Sequence, residues 1–257
     1  MIRGDIMKWL AGTSGYSYPS WRGNFYPETL EPEDWLAAYS RQLPAIEIAE
    51  TFDHLPRTQV IEQWAAAVPA DFRFAVQAPR QITHQLKLEN VEEQLDQLIR
   101  TVASFEDKLG AVLFELPLHL RKSTERLEQF LVQWPHDLPA AVAFHHQSWF
   151  VDEIMDLLNY YDVALCVSDE AAFPTSQATA TTDWCYLRLR HANYGSEDLA
   201  RWIQAIGQLE LSTCLAFFNP EDAEPGPANA QNLLRLVAKP EPIRASSFHP
   251  GGSKQIG

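Results

Sequence analysis

Short apolar runs alternate with longer stretches in which apolar residues return every three to four positions, nearly from end to end. The runs at 9–11, 45–48, 73–76, 111–116, 141–144, 164–167, 184–189 and 213–218 read as strands. The stretches at 32–41, 58–67, 91–105, 123–134, 152–161, 196–208 and 228–237 read as amphipathic helices. Ser123 and Ser196 stand where N-caps belong, each with an acidic residue close behind. Eight strands separated by helices predict an α/β fold, a single TIM-type (β/α)8-like barrel over residues 1–257 with its core at about 8–238. An open doubly wound sheet is the alternative. No repeat or linker interrupts the alternation. The Ala/Thr/Ser-rich stretch 171–182 and the Pro-rich stretch 219–227 read as loops. Residues 1–5 are expected to form a loose extension and 251–257 a disordered tail.

Strand parity divides each run into two faces. Ala45, Glu47 and Ala49 oppose Ile46 and Ile48; Ala141, Ala143 and His145 oppose Val142 and Phe144; Tyr186, Arg188 and Arg190 oppose Leu187 and Leu189. The bulky apolar set is expected under the helices, and the small and polar set toward the barrel axis. The same parity turns Gln77 inward beside Ala75, and Glu115 beside Ala111 and Leu113, while Asp169 shares the face of Leu165 and Val167. These polar residues stand at strand C-termini, the end where barrel active sites are built.

Composition narrows the chemistry. The 20 Lys and Arg against 34 Asp and Glu give a net charge of −14, which disfavours nucleic acid and anionic membrane as partners. Cys166, Cys185 and Cys214 lie inside apolar runs and read as reduced core residues of a cytoplasmic protein. No stretch approaches the ~20 apolar residues of a membrane span, and the N-terminus lacks a signal-peptide core. Six of the eight histidines, His54, His84, His119, His145, His146 and His191, follow strands. With Glu47, Glu115 and Asp169 they offer acid/base chemistry or a metal site, although no spaced ligand motif such as HExxH occurs. No metal and no cofactor are therefore assigned.

Residues 12–27, GTSGYSYPSWRGNFYP, combine glycines, prolines and rings in a loop built to hold one shape. Tyr16, Trp21 and Arg22 are its candidate ligand contacts. This loop also carries a resemblance. With Thr51-Phe52, Ala78-Pro79-Arg80, Ile82-Thr83-His84, Lys108-Leu109-Gly110, Leu116-Pro117, Ser148-Trp149, Arg188-Leu189 and Phe218-Asn219, it resembles the YecE-like family, domain of unknown function seventy-two. The resemblance runs from about Gly12 to Val237. It implies a TIM-type barrel distantly like the xylose isomerase and endonuclease IV group. The chain departs from the family's usual residues at Ala49, Glu50, Gln77, Glu115, Ala143, His145, Gln147, Arg190, His191 and Pro220. Most of these are polar positions near strand ends.

The leading expectation is a pocket for a small anionic metabolite. Glu47, Glu115 and His145 are the candidate catalytic residues. Arg188 and Arg190 form a fork for the anion, unless the glutamates already occupy it. Gln77, His84, Asp169 and Asn219, with Tyr16, Trp21 and Arg22, complete the candidate binding set. One alternative is a diverged, non-catalytic binding protein. Another, implied by the resemblance to endonuclease IV, is metal-dependent phosphodiester cleavage. The oligomeric state stays open.

Overall fold

The structure is a computed structural model describing residues 7–170, 179–219 and 225–238. Eight parallel strands run β1 (Lys8–Thr13), β2 (Ala45–Ile48), β3 (Arg73–Gln77), β4 (Leu109–Glu115), β5 (Ala140–Ala143), β6 (Val163–Ser168), β7 (Trp184–Leu189) and β8 (Thr213–Phe218). They pair in the order β1-β8-β7-β6-β5-β4-β3-β2. Helices α1 (Trp35–Ser40), α2 (Thr58–Ala66), α3 (Glu92–Val102), α4 (Thr124–Leu131), α5 (Asp152–Tyr160), α6 (Ser196–Gly207) and α7 (Pro225–Ala238) fall between or after them. The sheet curls into a nearly closed TIM-type barrel. The sequence-predicted strands at 45–48, 184–189 and 213–218 coincide with β2, β7 and β8. The expectations for 1–5, 171–178 and 251–257 fall outside the described residues.

Parity decides the two cores. Ala45, Ala75, Ala111, Ala141, Ala143 and Ala164 face the axis from β2 to β6, against Tyr186, Leu215, Phe217 and Leu10 from β7, β8 and β1. Small side chains on one wall leave room for large ones from the other, and the Tyr186 and Phe217 rings meet at 5.2 Å. The opposite faces, such as Ile46, Phe74, Val112, Phe114, Val142 and Leu187, pack under the helices in the larger core.

The seam between β1 and β2 is closed by little ladder pairing. A single parallel bridge joins Ser14 to Glu47, and the Gly15 N–H donates to the Glu47 carbonyl at 2.7 Å. Gly12 lies so close to β2 that a Cβ there would sit 1.8 Å from the Ala45 carbonyl oxygen. The buried Tyr39 hydroxyl fills the seam, accepting the Thr13 N–H at 2.8 Å and donating to the Ala45 carbonyl at 3.0 Å. A side chain of α1 thus replaces backbone bonds that the strands do not make.

Two local expectations are corrected. Ser123 caps α4, its Oγ accepting the Arg126 N–H at 3.4 Å, but the cap of α6 is Gly195, with Ser196 its first helical residue. Asp198 in the first turn accepts the Gly195 N–H at 3.0 Å, so the side chain three residues on does the capping. The supposed loop 219–227 also gives way to α7 at Pro225, since the fixed φ of proline suits a first helical turn. No described helix is long and apolar enough to cross a membrane.

Candidate functional site

Glu47 ends the inward face of β2 and is fully buried. Ser14 Oγ donates to its Oε1 at 2.5 Å, the Tyr186 hydroxyl to Oε2 at 2.6 Å, and Arg188 Nη2 to Oε1 at 3.0 Å. Burial by itself would push this carboxyl up; Arg188, Arg190, Ser14 and Tyr186 outweigh it and hold the carboxyl below its usual range. The same burial and the adjacent Glu47 raise the Tyr186 phenol, which stays protonated as a donor.

Glu115, at the end of β4, receives three donors of its own. Arg188 Nη1 donates to Oε2 at 2.6 Å and Gln77 Nε2 to the same oxygen at 2.8 Å. His145 Nε2 stands 3.0 Å from Oε1. Burial opposes the charge here too, but the His145 hydrogen bond and Arg188 prevail, so Glu115 stays ionised well below the ordinary carboxyl value. Arg188 therefore reaches from β7 across the axis to β2 on one side and β4 on the other. Its own burial works against its charge, and the two glutamates more than offset that. Its Nε has no partner among the described residues.

Parity thus brings Glu47, Gln77, Glu115, His145 and Arg188 into one network. Arg190, next on the same face, is half-buried, with no ion pair or hydrogen bond to its guanidinium among the described residues. Its charge is near enough to lower the Glu47 carboxyl. His84 stands by the same mouth, its ring edge-on to Phe52 at 5.0 Å and its Nδ1 2.9 Å from Thr83 Oγ1. Burial pushes this imidazole below its usual value, with Glu115 pulling the other way.

Other expected contacts take different positions. Trp21 is 1% exposed, between the rings of Tyr18 at 4.8 Å, Phe25 at 5.4 Å and Tyr26 at 5.9 Å. Arg22 lies over the Trp35 ring at 5.5 Å. Trp21 is turned into the loop's own packing, because rings so close in sequence bury more area against one another than against a ligand, and Arg22 is turned onto the first residue of α1. Tyr16 is half-buried against Tyr39 at 6.5 Å. Asp169 serves the chain itself: its Oδ1 accepts the Arg190 N–H at 2.7 Å and its Oδ2 accepts the Tyr194 hydroxyl. Asn219, half-buried just beyond β8, donates its N–H to the Leu189 carbonyl at 3.0 Å.

Three residues of the site escaped the candidate set. Ser14 and Tyr186 anchor Glu47, and the Tyr18 hydroxyl donates to the Ser14 carbonyl at 2.8 Å, folding its ring over the Gly15 turn. Inward parity had marked Tyr186 without suggesting its partner; nothing local marked Ser14. Among the described residues, no three His, Cys, Asp or Glu side chains are grouped to hold one metal ion.

Known proteins match this scaffold. A curated Bacillus subtilis protein, YunF, is 27% identical over 135 residues, covering 49% of this chain and 48% of its own length. YecE of Escherichia coli K12 is 24% identical over 116 residues, covering 45% of this chain and 43% of its own. The chain therefore spans about half the length of the curated relatives it matches. A crystal structure of a DUF72 family protein from Thermotoga maritima superposes with a TM-score of 0.73 at 25% identity, over 90% of this chain and 100% of that one. One from Enterococcus faecalis gives 0.74 at 18% identity, over 97% and 100%, a likeness of fold. The family model described as protein of unknown function DUF72 matches residues 10–251, and the chain belongs to that family.

Proposed function

We propose that the protein binds a small anionic metabolite at the C-terminal mouth of the barrel and exchanges a proton with it there. One observation carries the reading. The Arg188 charge is divided between Glu47 and Glu115, whereas Arg190, two residues on and on the same face, has no ion pair among the described residues. Arg190 is then the cation for a carboxylate or phosphate. His145 is the proton-transfer group. Its Nε2 stands 3.0 Å from the Glu115 carboxylate, an arrangement by which a carboxylate orients an imidazole for acid/base work. Glu47 and Glu115, held ionised, are not proton donors; Glu115 orients His145, and Glu47 fixes Arg188.

The test is thermal melting with and without inorganic phosphate. Phosphate at about 100 times its dissociation constant would stabilise the parent by about 2.7 kcal/mol, and Arg190→Ala would lose that gain while melting near the parent without phosphate. A parent that responds neither to phosphate nor to small mono- and dicarboxylates overturns the reading.

A second reading, a non-catalytic binding protein, is favoured by the three donors already held by each glutamate. A screen of phosphorylated and carboxylated metabolites separates the two. Binding without product formation, unchanged in His145→Gln, supports the second.

A further inference from the structure

The segment leaving β7 is held by a short ring of hydrogen bonds rooted on β6. Asp169 accepts the Arg190 N–H with Oδ1, at 2.7 Å, and the Tyr194 hydroxyl with Oδ2. The Tyr194 hydroxyl in turn accepts the His191 N–H at 2.9 Å. One carboxylate therefore gathers two consecutive backbone amides, one directly and one through a phenol. The Tyr194 ring packs edge-on against Phe218 at 5.4 Å, and Asn229 of α7 donates to the Ala192 carbonyl at 3.2 Å. The turn is thus tied to β6, β8 and α7 together.

We infer that Asp169 and Tyr194 are positioning residues that aim the Arg190 guanidinium at the mouth. The inference rests on Arg190 being the anion-binding cation. It gives Asp169 a role other than ligand contact. Both of its oxygens are engaged with the chain, and its side chain is 10% exposed. A flexible arginine loses side-chain and backbone freedom when it grips an anion. A clamp on its own amide and on the next one settles the backbone share of that ordering before the ligand arrives. It also keeps residue 190 in register with Arg188, so that the two guanidinium groups share a face about 7 Å apart at their Cα atoms. Without the clamp, Arg190 would sample directions away from the mouth and the affinity for an anion would fall, with Glu47, Glu115 and His145 unmoved.

The test compares the parent with Tyr194→Phe and Asp169→Asn by phosphate titration calorimetry and by amide hydrogen exchange. Tyr194→Phe keeps its ring on Phe218 but leaves the His191 N–H and one Asp169 oxygen without the hydroxyl, so its melting temperature should fall below the parent's while the fold persists. It should speed exchange at the His191 amide. Asp169→Asn should speed exchange at both the Arg190 and His191 amides and raise the phosphate dissociation constant about tenfold, roughly one charge-assisted hydrogen bond of ordering. Faster exchange in Asp169→Asn with an unchanged phosphate dissociation constant overturns the positioning role alone. Unchanged exchange in both variants overturns the clamp. A parent that binds no phosphate overturns the reading of Arg190 itself, whatever the exchange shows.

Discussion

At Arg188, one guanidinium from β7 meets two carboxylates, from β2 and β4, across the barrel. Removing it strands Glu47 at 0% exposure and Glu115 at 20%, so Arg188→Ala should cost roughly 3–5 kcal/mol in denaturant unfolding. A loss under about 1 kcal/mol, the range of exposed pairs, would show that the network is not structural. Acid should act through the same residues. Both carboxyls are held below the ordinary value of about 4.3, so they bind fewer protons folded than unfolded near that pH. The stability they contribute is present above that value and is lost as pH falls through their depressed folded values. The melting temperature should therefore drop on acidification below about pH 4.5, and Glu115→Gln should make the drop shallower. A parallel drop in parent and variant would remove Glu115 from the account.

At the element scale, the seam between β1 and β2 is the weak join of the barrel. The other neighbouring strands are joined by parallel ladders of three or more residue pairs, with one register shift, between β3 and β4 at Phe74/Ala75. This seam has one bridge, one close approach at Gly12 and the hydroxyl of Tyr39. Tyr39→Phe would leave the Thr13 N–H and the Ala45 carbonyl without their partner. It should cost about 1–3 kcal/mol, the penalty of an unsatisfied buried group, read as a lower denaturation midpoint at unchanged slope. Gly12→Ala should cost more than Tyr39→Phe, because its methyl would meet backbone at 1.8 Å and the strands would have to part. Equal stability of Gly12→Ala and the parent would mean that the seam opens freely.

For the whole molecule, charge sets the expected partners. With a net charge of −14 and a pI near 4.9, the surface repels phosphate backbones. Duplex DNA should bind more weakly than micromolar at about 150 mM salt, measured by fluorescence anisotropy across a salt titration. A tighter constant with a steep salt slope would revive the nucleic-acid alternative. Anion recognition of the proposed kind is local: it needs one arginine beside Arg188, Glu47 and Glu115, which pair with one another.

The order of eight strands and seven helices is legible in the chain alone, because alternation on a strand and a three-to-four repeat on a helix are written one residue at a time. Which strand residues face the axis is legible there too, since parity needs only a strand and a face. Glu47, Gln77, Glu115, His145 and Arg188 were legible as one set for that reason. Who pairs with whom emerges only when the strands close around the axis. Arg188 and Arg190 are equivalent by parity; one is consumed by two glutamates and the other is not among the described residues, because Arg188 lies inside β7 and buried, whereas Arg190 lies beyond the strand's end and half-buried. Ser14, Tyr39 and Tyr194 gained their roles in the same way. Each hydroxyl closes a gap between segments that are distant in sequence or change direction, and no local pattern encodes such a gap. Trp21 looked like a ligand platform in sequence and became loop core, because its nearest apolar surface was its own neighbours.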